Sequence, residues 1–136
     1  MMFLDANIIL RYLTNDDPDK AARCLALLQA ADRGAAQLVT TEAIIAEVVY
    51  VLSSPRLYNL APSRIRELLL PLIEIRGLKL ESRQLYHDAL DLYATQQIDF
   101  EDALAVAHMR ALGVEQIVSY DRHFDRIAGI QRVEPA

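Results

Sequence analysis

Cysteine occurs once, at Cys24, tryptophan not at all, and lysine only at Lys20 and Lys79. One cysteine excludes an internal disulfide framework and suits a reducing compartment. Cys24 falls inside a helical pattern, Ala21 to Ala31, where it is expected to pack as a small hydrophobe rather than react. No apolar run approaches the ~18 uninterrupted residues of a membrane span. The first residues carry no basic segment, and Asp5 interrupts their apolar run, so neither a secretory signal nor a membrane anchor is expected. A cytoplasmic location is the resulting expectation. There is no internal repeat, low-complexity stretch, glycine-rich phosphate loop or nucleophile motif, and no boundary to a second domain. Residues 1–136 therefore read as one domain, of a size that buries about two-thirds of its unfolded surface.

Positive charge is scarce as well. Fourteen Lys and Arg face nineteen Asp and Glu, a formal net charge of −5. Nucleic-acid binding through a broad basic footprint is disfavoured by that balance. An acidic nucleic-acid enzyme is still allowed if several acids converge and a divalent metal neutralises them. What the chain does have is 53% apolar residues and 24% charged ones, the mix of an ordinary globular domain.

Strand and helix signals alternate along the chain. Residues 2–5 read as a short buried strand ending in Asp5, and Asn7 to Leu13 as a first helix. Asp17 caps a second helix with Pro18 in its first turn; this helix runs to about Asp32, has Leu25 and Leu28 among its core positions, and stops at Gly34. Gln37 to Thr40 is a short strand, and Thr40 or Thr41 caps a helix over Glu42 to Ser53 ended by Pro55. After an irregular linker over 55–62, Ser63 caps a helix from Arg64 to about Ile75, which Pro71 should kink or divide and Gly77 should close. Leu78 to Leu80 is a strand; Ser82 caps a helix to about Thr95; Asp99 caps another over Phe100 to Leu112, stopped by Gly113. Val114 to Ser119 is a clear strand, and a last one lies near Ile130 to Val133. The alternation implies an α/β fold, with a mainly parallel central sheet of four to five strands flanked by helices.

Open α/β sheets place ligands at the carboxyl ends of their strands. Acids occupy such junctions at Asp5, at Asp99 with Asp102, and at Asp121. The helix over 42–53 adds another. With Ile44 at zero and about 100° per residue, the apolar stripe spans about −20° to 100°, Glu47 lies at about −60° on its border and Glu42 near 160°. Glu47 is therefore expected to point into a partly buried cleft and Glu42 into water. Each acid also has a structural explanation. Asp99 is a good helix cap, Asp102 gains from the helix dipole, and Asp5 and Asp121 can cap the helix or turn that comes next. The cap comes first for Asp99 and chemistry for Asp102, while both stay open for Asp5 and Asp121. Taken jointly, four acids at four junctions would repel one another unless protonated or metallated, and hard oxygen ligands suit Mg²⁺ or Mn²⁺.

The ordered set resembles a PIN domain, and specifically the VapC-type ribonuclease toxins of toxin–antitoxin pairs. The pieces are Phe3-Leu4-Asp5-Ala6-Asn7 through Leu10-Arg11-Tyr12-Leu13, Ala46-Glu47-Val48-Val49-Tyr50-Val51-Leu52, Asp99-Phe100-Glu101-Asp102-Ala103-Leu104, and Ser119-Tyr120-Asp121-Arg122-His123-Phe124-Asp125. The resemblance implies a parallel α/β fold with an acidic cleft. It makes Asp5, Glu47, Asp102 and Asp121 the catalytic and metal-binding acids, with Asn7 supporting the first and Asp125 an additional acid. It further implies metal-assisted hydrolysis of RNA phosphodiesters leaving a 5′-phosphate and a 3′-hydroxyl, a cognate antitoxin, and a homodimer. The apolar content of residues 44–75 offers a surface for a second copy or for the antitoxin. Arg11, Arg122 and His123 adjoin these motifs and could touch RNA phosphate or be solvated surface. His87 and His108, on helices without a partner at ligand spacing, read as structural.

Two alternatives differ in class. A haloacid-dehalogenase-like phosphatase would use Asp5 as nucleophile, but expects a second Asp where this chain has Asn7, and a downstream lysine that neither Lys20 nor Lys79 supplies in context. A catalytically silent binding module would use the acidic cleft only to hold another protein.

Overall fold

The chain forms every expected strand and helix, and the strands pair only in parallel. The structure, a computed structural model, describes residues 1–136. It divides into two units, Met1–Arg83 and Gln84–Ala136. The five strands are hydrogen-bonded as a set of three and a set of two. No helix is long and apolar enough to cross a membrane.

In the first unit, β1 (Met2–Phe3) pairs with β2 (Leu38–Val39), and β2 with β3 (Leu78–Lys79), in the order β1-β2-β3. The register sets Met2 opposite Leu38 and Leu38 opposite Leu78. Contrary to expectation, β1 is not buried: Met2 and Phe3 are 53% and 57% exposed, and burial begins at Leu4. As the end strand of its sheet, β1 has a neighbour on one side only. Its far end is fixed by Thr40, the one buried polar residue, whose hydroxyl donates to the Leu4 carbonyl at 2.9 Å. Thr40 is thus spent on joining two strands, and neither it nor Thr41 caps α3 (Glu42–Ser53) through its side chain.

Helix α1 (Ala6–Thr14) packs on α2 (Pro18–Asp32) and α3, and α3 on α4 (Pro62–Ile73). Asp17 caps α2 as expected, accepting from the Lys20 amide at 3.2 Å. The buried face of α2 is made of Ala21, Cys24, Leu28 and Ala31, which leaves Leu25 about 80° off the stripe and 42% exposed. Small residues carry that face, so the larger Leu25 misleads about its position. Cys24 is buried, as expected. Helix α4 begins one residue before Ser63, at Pro62, with Ala61 as its cap residue. Proline's fixed φ is ready-made for a first helical position, and its missing N–H leaves no bond unmade there. Pro71 does not divide the helix. It falls in the last turn, so the bend that its ring and missing N–H impose has almost no helix left to redirect.

Gly77 is also not a helix stop. It lies between two stretches of backbone: its amide donates to the Ala31 carbonyl at 3.0 Å, and its own carbonyl accepts from Leu38 at 2.7 Å. A Cβ there would sit 2.3 Å from the Ala31 oxygen and 2.5 Å from the Ala36 oxygen. Close approach, rather than turn geometry, is what requires glycine.

The second unit contains α5 (Arg83–Thr95, from its second residue), α6 (Phe100–Leu112), β4 (Gln116–Val118) and β5 (Gln131–Val133), with a 3₁₀ turn over Arg122–Arg126. Tyr93 meets Phe100 edge-on, with ring centroids 5.6 Å apart. Helix α6 buries Phe100, Ala103, Leu104, Val106, Ala107 and Met109. It ends, as expected, on Gly113 in the left-handed conformation, φ +71°. Strand β4 is largely exposed, with Val118 open to solvent.

Candidate metal centre

Helix α6 brings its first-turn acids to the edge of the second unit because its remaining faces are apolar. Asp99 occupies the cap position, yet its side chain makes no cap hydrogen bond, so the cap expected of it does not form. The same holds for Asp5 at the start of α1. Both carboxylates are exposed at helix N-termini without being consumed by the helix. Asp121 differs: its Oδ1 accepts from the His123 amide at 2.9 Å and caps the 3₁₀ turn.

Asp102, Asp121 and His123 each offer one ligand atom, and these three atoms lie within 4.8 Å of one another. Asp102 is half-buried, and burial pushes its carboxyl above the usual range. The negative charges of Asp121, Asp99 and Glu101 push in the same direction, and His123 opposes them. Asp121 is shifted the other way, first by the His123 amide and then by hydrogen bonding to the imidazole, whose Nδ1 lies 2.7 Å from Oδ1. Two carboxylates with opposite shifts and an imidazole therefore meet on one edge. A cation would remove the repulsion that now burdens Asp102. Carboxylate oxygens suit Mg²⁺ and Mn²⁺, and an imidazole nitrogen suits first-row transition metals, so the donor set fits a divalent ion.

The sequence offers His123 only as a contact for RNA phosphate, and its place beside Asp121 and Asp102 is a finding of the structure. The signal for it is the Asp-x-His spacing, which lets a backbone cap fold the imidazole back over the carboxylate. His87 and His108 are half-buried on α5 and α6 and do not belong to this group. Asp125 is engaged by Arg132, whose Nε donates to it at 2.9 Å, while the same guanidinium reaches the Ser119 carbonyl and Glu134. Arg122 is exposed on the turn.

Asp5, Asn7, Arg11 and Glu47 belong to the first unit. Asn7 and Arg11, one turn apart on α1, line a small cleft with Thr14, Asp16 and Tyr58, where the Tyr58 hydroxyl is hydrogen-bonded to Asp16. Glu47 is exposed on α3 and Glu42 is half-buried, the reverse of the helical-phase expectation. The buried residues of α3 are Ile45, Val48, Val49 and Leu52. With Ile44 at zero they centre near 90°, so Glu47 lies about 150° away and Glu42 only about 70° away. Ile44, Tyr50 and Val51 make the helix apolar nearly all round, which hides the true centre.

Residues 2–130 match the model of the PIN domain family. A VapC ribonuclease of Aquifex aeolicus (strain VF5) is 24% identical over 135 residues, spanning 99% of this chain and 97% of that relative. Among solved structures, Mycobacterium tuberculosis VapC20, a Sarcin-Ricin loop cleaving toxin, is similar over 99% of this chain and 100% of that one, at 17% identity and a TM-score of 0.39.

Proposed function

The chain belongs to the PIN domain family, and from that premise we propose that it is a metal-dependent endoribonuclease, the toxin of a VapC-type toxin–antitoxin pair. The observation that carries the proposal is the meeting of Asp102, Asp121 and His123 on one edge, inside a family match that also contains Asp5 and Glu47. The full-length similarity to a VapC ribonuclease supports RNA as the substrate. A phosphatase using Asp5 as nucleophile belongs to another family and falls with this assignment.

The work is divided among the residues. By the family resemblance, Asp5, Glu47, Asp102 and Asp121 are the acids that would hold Mg²⁺ or Mn²⁺. When bound, the ion lowers the pKa of the attacking water and stabilises the leaving oxygen. Asp121 enters ionised and oriented, because the His123 amide fixes one of its oxygens. Asp102, half-buried, acts where electrostatic attraction is stronger than in bulk water. Asp99 adds negative charge beside it and supports the same ion. Asn7 supports Asp5, and Arg11 and Arg122 contact RNA phosphate. A cognate antitoxin and a second copy of the chain are the protein partners, and the cytoplasm is the site of action.

The test is cleavage of total RNA by the purified chain with Mg²⁺ or Mn²⁺, against the same reaction in a chelator. Wild type should cut, and Asp5→Asn and Asp102→Asn should each lose at least about 100-fold, more than a residue supporting a ligand costs. Unchanged cutting in the folded Asp5→Asn/Asp102→Asn variant would overturn the four-acid site. A wild type that binds its antitoxin yet cuts nothing would instead identify a silent binding module.

A further inference from the structure

We propose that His123 is a direct nitrogen ligand to the divalent ion of the Asp102–Asp121 edge, making this a mixed nitrogen–oxygen site that favours Mn²⁺ over Mg²⁺. The inference rests on the nuclease reading above and adds the ligand type. Three features carry it. The ligand atoms of Asp102, Asp121 and His123 share one space of 4.8 Å. The turn that supplies His123 is anchored by the buried Phe124 and Ile127, so the imidazole is presented from a fixed backbone. Finally, His123 Nδ1 lies 2.7 Å from Asp121 Oδ1. Two donor atoms this close can both turn toward one ion, as neighbouring ligands in a coordination shell do.

The chemical consequence is selectivity. Mg²⁺ demands oxygen ligands in a near-octahedral set and keeps its waters, whereas Mn²⁺ and later first-row ions accept imidazole readily. A site built only from Asp102 and Asp121 would show little preference of this kind. His123 is 56% exposed and its backbone N–H, which caps the turn, survives any side-chain substitution. The variants His123→Gln and His123→Asp should therefore keep the fold.

The experiment uses the full chain with histidine labelled with ¹⁵N, titrated with Mn²⁺ alone and with Mg²⁺ alone by calorimetry, and examined with Mn²⁺ by pulsed electron paramagnetic resonance. The expected result is coupling of Mn²⁺ to one histidine nitrogen in wild type, absent in His123→Gln. Mn²⁺ affinity should fall at least about a hundredfold in His123→Gln, more than loss of an outer-shell partner costs, while Mg²⁺ affinity changes less, and His123→Asp should move the preference toward Mg²⁺. If Mn²⁺ binds, is lost in Asp102→Asn, but shows no histidine coupling in wild type, the ligand role of His123 is overturned and the acid site stands. If neither ion binds wild type, both fall together.

Discussion

Asp102 and Asp121 are chemically identical side chains on one edge, and their surroundings pull them apart. Asp121 faces an amide and an imidazole, which favour its charge; Asp102 faces burial and three other carboxylates, which oppose it. Each shift has its own sign in stability. The lowered pKa of Asp121 contributes stability above the ordinary carboxylate range, lost as pH falls through its folded value. The raised pKa of Asp102 does the reverse: the metal-free fold is penalised at neutral pH, and the penalty disappears as pH falls through the folded pKa and Asp102 takes up a proton. Asp102→Asn should therefore raise the melting temperature of the metal-free protein at pH 7 while abolishing the metal-induced rise. Melts with and without Mn²⁺ at pH 7 and at a pH below the carboxylate range check both. A variant less stable than wild type at pH 7 without metal would contradict the assignment. Such a trade of stability for a charged site is common where function needs repelling groups held together.

At the scale of elements, what is legible in the sequence is what local chemistry decides. Asp17 with Pro18 starts α2, and Gly113 stops α6, because caps and left-handed turns depend on neighbours in the chain. What is not legible depends on contacts distant in sequence. Thr40 reads as a cap candidate but serves the Leu4 carbonyl, thirty-six residues away. The face of α3 is misjudged because its apolar residues surround the axis, and only the elements packed on it choose the buried side. For the acids, the junction positions of Asp5, Asp99, Asp102 and Asp121 are visible, whereas the release of Asp5 and Asp99 from capping is not. Gly77 shows the same limit and yields a prediction. Gly77→Ala should force the Ala31 and Ala36 carbonyls apart and destabilise the protein by about 1–3 kcal/mol, the ordinary cost of overpacking. Denaturant unfolding measures it, and a loss below about 0.5 kcal/mol would show that the crossing yields easily.

For the whole molecule, the puzzle is how a chain of net charge −5 would hold a polyanion. With fourteen Lys and Arg against nineteen Asp and Glu, the net charge repels RNA at long range instead of attracting it. Binding would then rest on the ion at the acids and on few direct phosphate contacts, with Arg11 and Arg122 the proposed ones. That arrangement has a measurable signature. For single strands, the logarithm of the binding constant falls with the logarithm of salt at about −0.7 per phosphate neutralised, so two contacts give a slope of about −1.4. The Asp102→Asn variant, which neither cuts nor holds the ion, isolates the direct phosphate contacts, and fluorescence anisotropy of a labelled RNA on it reads their slope. Arg11→Gln and Arg122→Gln should each make it shallower by about 0.7. A slope steeper than about −4, unmoved by either substitution, would mean that the RNA tracks some other basic surface, and would remove Arg11 and Arg122 from the proposed substrate contacts.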